Sequence, residues 1–77
     1  MSKLPQIKPR QIEKVLIASG FSPRSTKSSH VVFTHPDGRR TVVPSHNEPV
    51  RKGTLRAILR QVEISLEDLL TLLGKKA

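Results

Sequence analysis

Ile12, Val15, Leu16 and Ser19 share one face of a helical period, and Gly20 follows as a left-handed stop. Pro9 suits the first helical position, and Ile7 stands where an apolar side chain staples to Ile12 across the entry turn. Lys8 is a poor N-cap, so the start is read only to within a residue or two. After Gly20 the period shortens. FSPRSTK reads as an irregular first strand, and Pro23, lacking an N–H, confines it to an edge or a bulge. SHVVFTH and RRTVV are rich in β-branched residues and bracket Pro36-Asp37-Gly38, a strong turn signal. These two segments predict a hairpin.

PSHNEPVRKG reads as a loop, broken by Pro44 and Pro49. Leu55, Ile58, Leu59 and Val62 then restore the i, i+3, i+4, i+7 spacing of a helix. Lys52, Arg56 and Arg60 recur every fourth residue, a cationic stripe on or beside its other face. Ser65 followed by Asp68 is a capping-box variant, opening a short helix whose Leu66, Leu69, Leu70 and Leu73 face inward. The Lys75-Lys76 tail is expected to fray. The predicted architecture is α+β in the order α-β-β-β-α. A three-stranded antiparallel sheet packs on helices, the last helix is in two pieces, and residues 1–77 form one domain.

Composition narrows the function. A chain of 77 residues buries only about 60% of its unfolded surface, so most polar side chains must lie near solvent. The sequence has no cysteine, which rules out disulfides and thiolate zinc sites. MSKLPQIKPR holds no apolar run long enough for a signal peptide, and no stretch approaches a membrane span, so a cytoplasmic location is expected. Fourteen Lys and Arg against six Asp and Glu give a net charge of +8, with a pI near 11.0. So large an excess in a small domain points to a polyanion, most often nucleic acid. The charge is also polarised along the chain. Lys27, Arg39, Arg40, Arg51, Lys52, Arg56 and Arg60 meet only Asp37 and Glu48 between them, whereas Glu63, Glu67 and Asp68 follow.

All three histidines, His30, His35 and His46, lie in KSSHVVFTHPDGRRTVVPSH. A metal site fits them poorly. His30 and His35 are an odd number apart on a strand and point to opposite faces. There is no HxH or HxxxH pair, and carboxylates to complete a shell are few. His35 directly precedes the turn and reads as a strand end. His46 sits in the loop before the basic helix, where it could orient the loop or touch substrate. His30 opens the most hydrophobic strand after two serines. A lone strand histidine is more often structural than catalytic, so something further must single it out.

That something is a resemblance. SSHVVFTHPDGRRTVVPSH followed by RKGTLRAILRQVEIS resembles the HicA toxin family of bacterial and archaeal toxin–antitoxin systems. The family pattern is a Gly-Ser-His triplet opening a strand, a Pro-Asp-Gly-Arg turn, a Pro-x-His and a Lys-Gly-Thr-Leu-Arg-x-Ile-Leu helix. It is matched here by Ser29 and His30, by Pro36 to Arg39, by Pro44 and His46, and by Lys52 to Arg56 with Ile58 and Leu59. The triplet's glycine is Ser28 in this chain. The resemblance implies a fold like the double-stranded-RNA-binding domain and a metal-independent ribonuclease that cuts mRNA, arresting translation. It also implies His30 as the active residue, no cofactor, and a HicB-like antitoxin that blocks the site. The free toxin would be a monomer, and the complex a hetero-oligomer.

The chemistry is coherent without the family. RNA supplies its own nucleophile, the 2′-hydroxyl, so an enzyme need only move protons and stabilise the phosphorane. An imidazole, with an ordinary pKa of about 6.5, serves the first need near neutral pH, and fixed cations serve the second. His30 is the candidate catalytic residue and His46 a candidate second catalytic or orienting one. Lys27, Ser29, Arg39, Arg40, Lys52, Arg56 and Arg60 are candidates for RNA contact. Phe21 and Phe33 are the only aromatics, so affinity should rest on phosphates and selectivity should be loose. The rival reading is a non-catalytic RNA-binding module of the same fold. A DNA-binding accessory role has only charge in its favour.

Overall fold

The computed structural model describes residues 6–24 and 30–74. Lys27, Ser28 and Ser29 lie outside the described residues. The elements are α1 (Pro9–Ala18), β1 (Ser22–Arg24), β2 (His30–Thr34), β3 (Arg40–Pro44), α2 (Lys52–Val62) and α3 (Leu66–Leu72). This is the α-β-β-β-α order expected from the sequence, with the last helix in two pieces. No described helix is long and apolar enough to cross a membrane.

Pro9 opens α1, and the Lys8 backbone N–H donates to Gln11 Oε1 at 2.9 Å, half of a capping box. Ile7 and Ile12, the two ends of the predicted staple, are both buried in the core. At the other end the Phe21 N–H reaches Leu16 O (2.9 Å) and the Gly20 N–H reaches Ile17 O (3.1 Å), the paired bonds of a Schellman stop. Gly20 is required there twice over. Its φ is +97°, and a Cβ at this position would lie 2.9 Å from His35 Nε2.

The sheet is antiparallel in the order β1-β2-β3, which leaves the Pro23 strand at an edge. Register pairs His30 with Pro44, Phe33 with Thr41 and Thr34 with Arg40. Alternation then assigns the faces. Phe33, Thr41 and Val43 turn toward the helices and are buried, while His30, Val32, Arg40 and Val42 lie on the open face. The one buried polar side chain among the described residues, Thr41, donates its hydroxyl to Gln61 Oε1 at 2.6 Å. The β2–β3 connection is a three-residue loop. His35 and Arg39 pair through their backbones, Gly38 takes a φ of +101°, and Asp37 Oδ1 accepts the Arg39 N–H at 3.0 Å.

Leu55, Ile58 and Val62 press α2 onto the core. Helix α2 ends without a glycine, because Glu63 itself adopts the left-handed conformation at φ 58°. Ser65 Oγ then accepts the Asp68 N–H at 3.0 Å and starts α3, whose Leu69 is buried and whose Leu66, Leu70 and Leu73 pack beside it.

Candidate active site

His30 is the first residue of the central strand, so its backbone is held by the sheet while its side chain stands on the open face. The chain that leaves its neighbour β3 turns round the sheet edge through residues 45–51 before entering α2. A backbone bond fixes that turn, with the Val50 N–H donating to Ile7 O at 2.8 Å. Val50 is buried and anchors the loop to the core. His46 is thereby brought to the corner of the sheet where His30 begins.

The two histidines line one cleft of about 580 Å³. Pro44 and Val42 form its sheet wall, and Arg51 and Thr54 form its helix wall. Glu48 adds one carboxylate. Helix α2 opens on this cleft with Arg51 as N-cap, no side-chain cap bond and no acid in its first turn, so the positive end of its dipole is not offset by its own residues. The arrangement supplies two imidazoles, one guanidinium and one hydroxyl. No group of three or more His, Asp or Glu among the described residues is disposed to hold a metal ion.

The third histidine belongs elsewhere. His35 lies against buried Phe21, ring centroids 5.0 Å apart and nearly edge-on, on the face opposite His30. Its Nδ1 accepts the Asp37 N–H at 3.1 Å. The predicted strand-end role is the observed one, and His35 also closes the hairpin onto α1.

The expected cationic residues divide. Lys52, Arg56 and Arg60 are exposed on α2 in the predicted stripe. Lys52 adjoins Arg51 at the cleft, but Arg60, eight residues on, lies about 12 Å further along the helix axis. Arg40 is exposed yet pairs with Thr34, at the end of the sheet away from His30. Arg39 is only partly exposed and is held by the protein. It donates Nη1–H to the carbonyl of Val62 and Nε–H to Asp37 Oδ2 (2.7 Å), and its guanidinium lies 5.1 Å from the Phe21 ring centroid. The Arg39 backbone N–H, which donates to Asp37 Oδ1, and then the Arg39 guanidinium hold the Asp37 carboxyl below the usual carboxylate range. Arg51, Thr54 and Glu48 also belong to the site, and no motif in the sequence marks them as its members. An isolated apolar residue directly after the second loop proline, Val50, is the signal that this loop folds back.

Residues 9–64, more than two thirds of the chain, match the family model described as the HicA toxin of bacterial toxin–antitoxin. No curated protein matches the chain.

Proposed function

Since the chain belongs to the HicA toxin family of bacterial toxin–antitoxin systems, we propose that it cleaves mRNA as a metal-independent endoribonuclease with His30 as the catalytic residue. The observation that carries the proposal is the shared cleft of His30 and His46 beside Arg51. In the reaction, one imidazole takes the proton of a 2′-hydroxyl as that oxygen bonds to the adjacent phosphorus. The P–O5′ bond breaks, and the leaving oxygen receives a proton from a second group. The products are a 2′,3′-cyclic phosphate and a 5′-hydroxyl. His30, rigid on the central strand, is the proton carrier in one of these steps, and His46 serves the other or orients the loop. Arg51, with Lys52 next to it, offsets the charge that builds on the phosphorane. The α2 stripe, with Arg40 more remotely, holds flanking phosphates, and both phenylalanines are buried, so base stacking contributes little. An antitoxin of the HicB kind, acidic over the surface that meets this +8 chain, would silence the toxin by covering the cleft. The site of action is then the cytoplasm.

The test is cleavage of RNA in EDTA by wild type and by His30→Ala, with product ends read by mass spectrometry. Losing general acid–base catalysis should slow the reaction by about 10²–10⁴-fold, and wild-type products should carry cyclic phosphate. Equal rates would remove His30 from the mechanism. Binding without cleavage by wild type would leave the RNA-binding module as the function.

A further inference from the structure

His46 lines more than the His30 cleft. On its other side lies a second cleft of about 240 Å³ between the start of α1 and the β3–α2 loop, lined by Arg10, Glu13, Ser45 and Asn47 as well as His46. A recess of about 150 Å³ continues it toward Lys8. His46 is therefore a partition common to all three spaces. We propose that the RNA strand leaves the His30 cleft across His46 and lays its next phosphate between Lys8 and Arg10. The proposal rests on the reading of this protein as an RNA-cleaving enzyme and extends it to the substrate's path.

Three features support the path. The first is charge. Lys8 and Arg10 face a single carboxylate, Glu13, and neither forms an ion pair among the described residues. The second is chemistry. Asn47 and Ser45 offer an amide and a hydroxyl but no aromatic surface, a set that suits phosphate and ribose oxygens and positions a strand without reading its bases. The third is rigidity. The Val50–Ile7 backbone bond ties one wall to the other, and the Lys8 N–H bond to Gln11 holds the entry to α1. A cleft already formed spends little of its binding energy on ordering itself.

The experiment measures RNA binding across a salt series, in a His30→Ala background so that the strand stays intact. A single-stranded RNA of twelve nucleotides is the probe. Replacing Lys8 and Arg10 together with Gln removes one phosphate contact and should lower the slope of log K against log salt by about 0.7, the contribution of one single-strand phosphate. Thermal unfolding reports whether the double variant folds. Glu13→Gln is the second arm and moves the other way. Removing the one carboxylate that lines this second cleft should tighten binding about threefold at low salt, a gain that a folding defect does not produce. An unchanged slope with no effect of Glu13→Gln would overturn the path, even with wild-type cleavage intact. The same would follow if these variants altered only the affinity for the antitoxin, which would make the cleft a protein-binding surface. The expected shifts in a protein that binds RNA but never cuts it would uphold the path and discard the proposed cleavage.

Discussion

Replacing Arg39 with methionine separates a structural cation from an RNA-binding one. Arg39 belongs to the hairpin that sequence alone assigns to nucleic acid, yet its guanidinium is committed to the protein. Its Nη1–H bonds the carbonyl of Val62, the last residue of α2, whose side chain is fully buried and whose carbonyl no longer has a helical partner. Leaving such a carbonyl unsatisfied costs about 1–3 kcal/mol. Lifting the cation from Phe21 removes about 0.5–1 kcal/mol more. The exposed partner Asp37 adds nothing, because its carboxylate returns to water. Methionine keeps the aliphatic stem, so the loss should be about 1.5–4 kcal/mol. For a domain this small that lowers Tm by about 6–32 °C. Urea unfolding followed by circular dichroism measures the stability. RNA binding, taken well below the variant's own transition, should keep its salt slope. Arg40→Met, on the exposed neighbour, is the control and should fall within about 0.5 kcal/mol of wild type. An Arg39→Met loss inside that same range, or a drop in its salt slope, would refute the clamp and return Arg39 to the RNA surface.

Two further outcomes follow from the same corner of the fold. Gly20→Ala places a side chain at φ +97° and a Cβ 2.9 Å from His35 Nε2. Left-handed strain of about 1–2 kcal/mol and a disturbed His35–Phe21 contact worth about 0.5–1.5 kcal/mol should lower the urea midpoint clearly, and an unchanged midpoint would contradict the close approach. Asp37 has its folded pKa depressed, chiefly by the Arg39 backbone N–H. Its contribution is therefore present above the unfolded carboxylate value of about 3.9 and is lost as pH falls through the lower folded value. Comparing wild type with Asp37→Asn by urea titration should show a difference at neutral pH that closes in that acid window, and a gap independent of pH would exclude the carboxylate as its source.

The local devices were legible along the chain because their causes are local. Pro9 and Gly20 bound α1, Pro36-Asp37-Gly38 turns the hairpin, and Ser65 starts α3, each through bonds that span a few residues. Period alone placed Leu55, Ile58, Leu59 and Val62 on one side of α2, Leu59 at its half-buried border, and sent His30 and His35 to opposite faces, since side-chain direction follows from backbone geometry. The family pattern was legible for the same reason, as an ordered set of short motifs. The assembly of the site was a different matter. Arg39 and Arg40 are adjacent in sequence and equally charged, but one reaches 23 residues ahead to seal a helix end while the other faces solvent at the far end of the sheet from His30. Likewise Arg51, Thr54 and Glu48 join the histidines only because Val50 is drawn into the core and bonded to Ile7, which swings the loop across the sheet edge. Periodicity and turn chemistry act over one or two turns of chain. Which cations stay available and which walls meet at His30 depend on where buried groups find partners, and those partners are distant in sequence, so only the packed structure decided them.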